Sequence, residues 1–356
     1  MFTLKSSALA LACAMLPPVF AQSTFKITDL GVLPGTSSSW AAAINELGEV
    51  AGFSGDGPDA FLDWFGGHAF RWRNGVMTDL GEGAAWGIND RGQVVGHSRG
   101  VTNTGRGKSF VGSYQAVLWQ NGMRQVLDVG AAYHCSEGLR SDPPCSWANG
   151  INARGQVVGF GAGFHAFLWD NGMTTDLGTL PAGSQFSEAW AVNARGQVVG
   201  NTDFNRHAFL WQKGVMSDLG TLPGRNESAA TGINSRGQVV GNAYDSRGLP
   251  HAFLWENGVM TDLGTLGGEL SVATGINDRG QVVGSSYIPL PEYPFSSSRA
   301  FLWQNGVMTD LGALPGQDNN FANGINNRGQ VIGASYSFGY QKMHAVLWET
   351  GTGTTP

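Results

Sequence analysis

Gly232-Ile-Asn-Ser-Arg-Gly-Gln-Val-Val-Gly241 decides the fold of this chain, because versions of it recur from end to end. Its Ile-Asn anchor stands at Ile44, Ile88, Ile151, Val192 (as Val-Asn), Ile233, Ile276 and Ile325, with spacings of 44, 63, 41, 41, 43 and 49 residues. After each anchor come Gln-Val-Val-Gly or a near copy, then His-Ala-Phe-Leu-Trp or a near copy. Six copies go on to Met-Thr-Asp-Leu-Gly or similar, beginning at Met77, Met123, Met173, Met216, Met260 and Met308. The seventh copy lacks that last segment. Its equivalent stands at the other end of the chain, as Phe25-Lys-Ile-Thr-Asp-Leu-Gly31.

Each repeat reads as four short strands, A to D. Segment A ends at the Ile-Asn anchor, B is the β-branched Gln-Val-Val-Gly, C is the aromatic segment and D ends in Asp-Leu-Gly. Asn-x-Arg-Gly between A and B supplies hairpin residues. Between C and D stands Asn-Gly, at 74–75, 121–122, 171–172, 257–258 and 305–306, with Lys213-Gly214 in the fourth copy. Asn-Gly between apolar runs is the strongest short hairpin signal.

Four strands per period of about 42 residues, seven times over, predict an all-β, seven-bladed β-propeller with four-stranded blades. A sheet this small buries neither face alone, so each blade must pack on the next around a ring. In the preferred phasing Phe25–Leu30 completes blade seven beside His344–Trp348 and closes the ring; a rival phasing, D-A-B-C, needs no closure strand. The D-to-A links carry Leu-Pro-Gly-like steps at Leu33, Leu180, Leu222 and Leu314, whereas Gly81-Glu-Gly83 replaces the motif after the first copy.

Among 356 residues Gly accounts for 54 and charged residues for 13%, which suits short strands joined by many turns. A net charge of −6 without a basic cluster gives no sign of nucleic-acid binding. Residues 1–21 read as a signal peptide, with Lys5, an apolar run Ala8–Leu16 and Val19-Phe20-Ala21 before the expected cleavage. The mature chain is expected at the periplasm or cell exterior, with residues 22–350 as one propeller and 351–356 as a disordered tail. Nothing later in the chain is apolar for long enough to span a bilayer. An oxidising compartment permits a disulfide between Cys135 and Cys145.

His-Ala-Phe at 68–70, 165–167, 207–209 and 251–253, followed by Leu-Trp or its near copy, Asn-Gly or Lys-Gly, and Asp-Leu-Gly, resembles the HAF-repeat family of probable extracellular bacterial proteins. The resemblance covers nearly all of the mature chain and implies export and a repeat architecture. It implies no activity. Gln115, Arg299, Val117 and Val346 depart from the triplet.

The repeated His68, His165, His207, His251 and His344 occupy one position on different blades. A structural role therefore suits them better than a metal site, and no cofactor is indicated. The repeated Trp at 72, 119, 169, 211, 255, 303 and 348 is expected to fill space between blades. The repeated Asp at 29, 79, 176, 218, 262 and 310 is expected to bond locally, and Asp128 joins that set only if its strand carries an extra residue. Nucleophile-elbow, zinc-protease, phosphate-loop and EF-hand motifs do not occur, so no catalytic residue is assigned.

The long insertions, Phe53–Gly67, His97–Tyr114, Val129–Trp147, Ser285–Ser298 and Ala334–Met343, all fall in B–C or D–A loops. These share one face of the ring and form one arc. Their aromatics, including Trp64, Phe65, Tyr114, Tyr133, Tyr287, Tyr293 and Phe295, are candidate ligand-binding residues. The expected role is a binding or scaffold module for a glycan or protein held on that face. A hydrolase or lyase with its site at the axial mouth, or a purely structural surface component, are the alternatives.

Overall fold

The computed structural model describes residues 25–56, 67–99, 102–103, 108–109, 114–129, 146–181, 184–203, 206–289, 296–337 and 342–350. Residues 1–21, expected as a signal peptide, Cys135, Cys145 and residues 351–356 lie outside them. The described residues form seven four-stranded antiparallel sheets. Blade one consists of Ser38–Ile44, Val50–Gly55, His68–Arg73 and Val76–Glu82. Blade seven consists of Asn319–Ile325, Val331–Tyr336 and Met343–Thr350, completed by the N-terminal strand Phe25–Asp29. The preferred phasing therefore holds. Phe25 pairs with Thr350 and Asp29 with Val346.

Local chemistry sets the turns. Asn257 has φ +52° and Gly258 φ +85°, so the C–D hairpin turns through the left-handed region at both central residues. The remaining C–D hairpins repeat this, with Lys213 taking the Asn role at φ +52°.

Packing is between blades. Seven apolar clusters lie one at each blade–blade contact. In the cluster joining blades seven and one, Leu30, Ile332, Ala345 and Leu347 meet Ala41, Val50 and Phe70, with Trp72 against them. The repeated Trp is fully buried at Trp348, whose Nε1 donates to Gly312 O at 3.0 Å, and half-buried at Trp72.

The A strands are innermost, as their mutual contacts around the ring require. They are Ser38–Ile44, Ala84–Ile88, Trp147–Ile151, Ser187–Val192, Glu227–Ile233, Ser271–Ile276 and Asn319–Ile325. All seven carry a β-bulge against strand B, at Ala42, Trp86, Asn149, Trp190, Thr231, Thr274 and Asn323. The A strands also latch backward. Ser39, Ser146, Ser187, Ser228 and Ser271 each accept a hydrogen bond from the Ala N–H of the preceding blade's strand C, at 2.9–3.1 Å. The site of the Gly81-Glu-Gly83 departure has no such serine. There strand D runs on to Glu82, and Gly83 N–H donates to Gly67 O instead.

The anchor asparagines do more than form turns. Asn45, Asn89, Asn152, Asn193, Asn234, Asn277 and Asn326 each donate from Nδ2 to the backbone carbonyl of the next anchor asparagine, at 2.9–3.1 Å. The last bond, from Asn326 to Asn45, closes the circle. Each Oδ1 also accepts two N–H groups of its own turn, as Asn193 does from Arg195 and Gln197. Truncating a buried group with four partners strands the others, at a cost of about 1–3 kcal/mol for each donor or acceptor left bare. Asn193→Ala is expected to lower the melting temperature by several degrees, and Asn193→Asp, which keeps the acceptor but loses the inter-blade donor, should not restore it. Unchanged melting of the Asp variant would show that the ring adds nothing beyond the turn.

Two sequence expectations need correction. Within Ser285–Ser298, residues 285–289 and 296–298 are strand and not loop: strands Val282–Pro289 and Ser296–Gln304 continue the ladder into the insertion from both sides. The repeated Asp has no counterpart at Asp128. Val117 pairs with Val126 as Phe167 pairs with Asp176, and Leu127 N–H meets Ala116 O as Leu177 N–H meets Ala166 O. Val126 therefore holds the Asp position without any extra residue. Blade two has lost the His and the Asp together, as Gln115 and Val126.

Candidate functional site

The five repeated histidines stand at the start of strand C, near the outer rim of the loop face. His68, His165, His207, His251 and His344 place Nδ1 2.6–3.0 Å from Asp79, Asp176, Asp218, Asp262 and Asp29. The last pair joins the two ends of the chain. The hydrogen bond that His344 donates to Asp29 raises the His344 pKa, against the burial that lowers it. The Asp29 carboxyl is held low, because the His344 and Gly31 contacts outweigh the burial that pushes it up. Among the described residues no three His, Cys, Asp or Glu side chains are grouped as metal ligands.

The loop aromatics divide differently. Trp64, Phe65, Tyr133, Tyr293 and Phe295 lie outside the described residues. Tyr287 sits half-buried in the lengthened strand B of blade six. Tyr114 opens strand C of blade two and meets the His97 ring edge-on, with centroids 5.4 Å apart.

That contact leads to a site the loop reading missed. The inner strands are constant where they build the ring, with Ala at 41, 85, 148, 189, 230, 273 and 322 and the anchor Ile/Val-Asn after it. They vary where they face the axis. The residue before that Ala is Trp40, Ala84, Trp147, Glu188, Ala229, Val272 or Phe321, and the bulge residue varies as given above. The cross-strand partner on B is Phe53, His97, Phe160, Asn201, Asn242, Ser285 or Ala334.

The aromatic members run from blade to blade. Tyr336 stacks on Phe321 with centroids 5.3 Å apart, and Phe321 lies 5.9 Å from Trp40. Trp40 stacks on Phe53 at 6.4 Å, and Phe53 meets Trp86 at 5.5 Å. His97 follows at 6.2 Å from Trp86 and 6.5 Å from Trp147. Trp147 stacks on Phe160 at 5.4 Å, and Phe160 reaches Phe186 at 5.1 Å. Offset and tilted pairs at these separations are favourable. The arc spans blades seven, one, two and three and ends on blade four. On blades four to six the same positions hold Asn201, Thr231, Asn242, Thr274 and Ser285 instead; Asn201, Asn242 and Ser285 are buried, and Thr231, Asn242 and Thr274 bond to backbone of the next blade. The inner strands are thus aromatic on one side of the ring and polar on the other.

Glu188 and Trp190 sit at the border between the two sides. Trp190 is 39% exposed although it lies on an innermost strand, so its ring faces the lumen. Its Nε1 donates to Asn201 Oδ1 at 2.7 Å, as Trp86 Nε1 donates to His97 Nδ1 at 3.2 Å. That bond puts the proton of neutral His97 on Nε2. Glu188 Oε1 accepts from Asn149 Nδ2 at 3.0 Å. Burial pushes the Glu188 carboxyl up to about 7, and the Asn149 bond offsets only part of this.

The opposite mouth, on the A–B turn face, is a cavity of about 200 Å³. Val192, Ile233, Ile276 and Ile325 line its throat, and Glu46 and Asp278 stand at its rim. Burial raises the Glu46 pKa, with Asp90 and Asp278 adding to the rise against the Asn327 N–H bond. The rim is internally bonded: Asn327 N–H donates to Glu46, and Glu46 N–H to Asp90.

No protein-family model matches the chain, and no curated protein matches it. Solved structures do. The β-propeller domain of the Trilobed protease from Pyrococcus furiosus, described as having an open velcro topology, is similar with a TM-score of 0.54 at 10% identity, over 88% of this chain and 94% of that one. Virginiamycin B lyase from Staphylococcus aureus is similar with a TM-score of 0.52 at 8% identity, over 91% and 99%. At such identities the likeness is one of fold: this chain is a seven-bladed β-propeller, its ring closed by the N-terminal strand.

Proposed function

We propose that the chain is an exported ligand-binding module whose site is the loop-face mouth of the axial channel. One observation carries this reading. Within inner strands that otherwise repeat, the axis-facing positions diverge, and those that turn aromatic are neighbours in space. The blade–blade cores are filled by Ala, Val, Leu, Phe and the repeated Trp, and Trp40 and Phe321 also pack on Ala334, Tyr336 and Met343, but packing does not account for Trp190, which is 39% exposed on an inner strand. Aromatic rings at the mouth beside the Glu188 carboxyl suit a glycan or a protein segment that stacks and is oriented by a few polar contacts. Export rests on the signal-like residues 1–21 and on the HAF-repeat resemblance.

The test is a glycan array with partner pull-down, comparing residues 22–356 with the Trp147→Ala and Trp190→Ala variants. Binding is expected to weaken at least about tenfold in either variant, as for loss of a central aromatic anchor, measured well below the lowered melting temperature that loss of the Phe160 stack or the Asn201 bond brings. A ligand indifferent to both changes would move the site elsewhere. A second reading, a hydrolase or lyase at the same mouth, is favoured by Glu188, whose carboxyl near 7 is matched to giving and taking protons at neutral pH. Turnover that survives Glu188→Gln would dismiss that reading.

A further inference from the structure

We propose that the ligand at the loop-face mouth carries an organic ammonium group, with Glu188 as its counter-ion and Trp190 and Trp147 as its aromatic wall. This rests on the axial-site reading above.

The chain gives other carboxylates of its blades a cationic partner. Glu49, only 2% exposed, has Arg71 at 2.7 Å and Arg73 at 3.3 Å. Asp29 has His344 and the Gly31 N–H. Glu188 has one neutral donor, Asn149, and forms no ion pair among the described residues. It is also the one acid among the axis-facing positions. The strands packed against it bring Asp170 and Glu227 as titratable groups, and no Lys, Arg or His. A carboxylate taken from water without a countercharge is costly, and a cation arriving with the ligand removes that cost.

The surroundings select the kind of cation. Asn201 Oδ1 is occupied by Trp190 Nε1, and Asn149 turns its donor, not its oxygen, to Glu188. The site therefore lacks the six to eight oxygens a calcium ion takes. Tryptophans on the same and on the neighbouring inner strand as a carboxylate instead match an ammonium group, which gains from both the ring quadrupole and the charge. The register puts Trp147 at the same level as Glu188 on the neighbouring inner strand, and Trp190 two residues further along its own strand.

Benzylamine and its neutral analogue benzyl alcohol are the probes. Binding is read from the Trp190 indole N–H resonance and from tryptophan fluorescence, between pH 5 and pH 8.5. At pH 8 benzylamine is expected to bind wild type at least about tenfold more tightly than benzyl alcohol. That preference should fall as pH drops through 7, where Glu188 takes up its proton. Glu188→Gln should bind both probes alike at every pH. Equal binding of both by wild type, or a preference that survives Glu188→Gln, overturns the ammonium inference and leaves the axial site standing. If neither probe moves the Trp190 resonance, the axial site falls with it.

Discussion

Deleting residues 25–31 is expected to lower the melting temperature by roughly 10 °C or more. The strand removed is the fourth of blade seven, and its loss uncovers two interfaces at once. Leu30 is buried between blades seven and one, while Phe25 and Ile27 pack on the cluster between blades six and seven. Burial of one such side chain stabilises by about 1.5–3 kcal/mol. The five-residue ladder to Met343–Thr350, the Leu30 N–H to Ala345 O bond and the Ser39 bond to Gly31 O go as well. A summed loss of about 7 kcal/mol corresponds to roughly 10 °C at about 1.5 °C per kcal/mol for a ring of this length. Calorimetry decides, and melting unchanged by the deletion would refute the closure as a source of stability. Within that loss the His344–Asp29 pair contributes a small, pH-dependent part, about 0.5 kcal/mol for a half-exposed pair. Raised His344 adds stability that is complete below its ordinary 6.5 and fades as pH rises beyond it. Lowered Asp29 adds stability that is complete above its ordinary 3.8 and fades as pH falls below it. The contribution of Asp29, read against Asp29→Asn, is therefore largest between those values.

Gly200→Ala is expected to be still more damaging than its size suggests. A Cβ on Gly200 would lie 1.9 Å from the Glu188 carbonyl oxygen and 3.0 Å from Ala189 Cα, all backbone that no rotamer can move. Gly200 pairs with Ala189 immediately before the bulge at Trp190. The same collision, at 1.8–2.0 Å, awaits a Cβ at Gly52, Gly96, Gly159, Gly241, Gly284 and Gly333. We expect a loss of about 3–5 kcal/mol, at the severe end for overpacking. Gly224→Ala is the comparison. Gly224 has φ +79° and nothing within 4 Å of a Cβ, so only the left-handed strain of about 1–2 kcal/mol applies. Denaturant melts that rank the two substitutions equally would rule out the collision as the reason for the glycine.

The fold was legible because the same local signals occur seven times. Asn-Gly fixes the C–D hairpin by backbone conformation alone, and the displaced Phe25–Leu30 segment names the closure. The bulge was not legible. Two residues opposite one is a property of a strand pair, and Ala-Thr-Gly-Ile-Asn reads as a plain strand by itself. Asp128 shows the same limit: matching residue types along the strand favoured an insertion that the register does not contain. The axial site was hidden for a different reason. Trp40, Trp86, Trp147 and Glu188 are far apart in sequence, and attention went to the inserted loops, where copies differ in length. Comparing the copies position by position within strand A would have exposed them, since variation inside an otherwise repeated strand marks residues released from building the ring.

The strand order of blade seven has a consequence for how partners are chosen at the seam. Phe25-Lys-Ile-Thr-Asp29 carries the same alternation and the same terminal Asp as Val259-Met-Thr-Asp262, so side chains alone do not distinguish one outer strand from another. Six C strands receive their own D through a two-residue turn, at high effective concentration. Only Met343–Thr350 is left vacant, and the N-terminal strand takes it by default. Pairing at the seam is thus assigned by vacancy. An N-terminal strand donated by a second copy meets that vacancy with identical bonds, which makes this blade the place where two chains can trade strands.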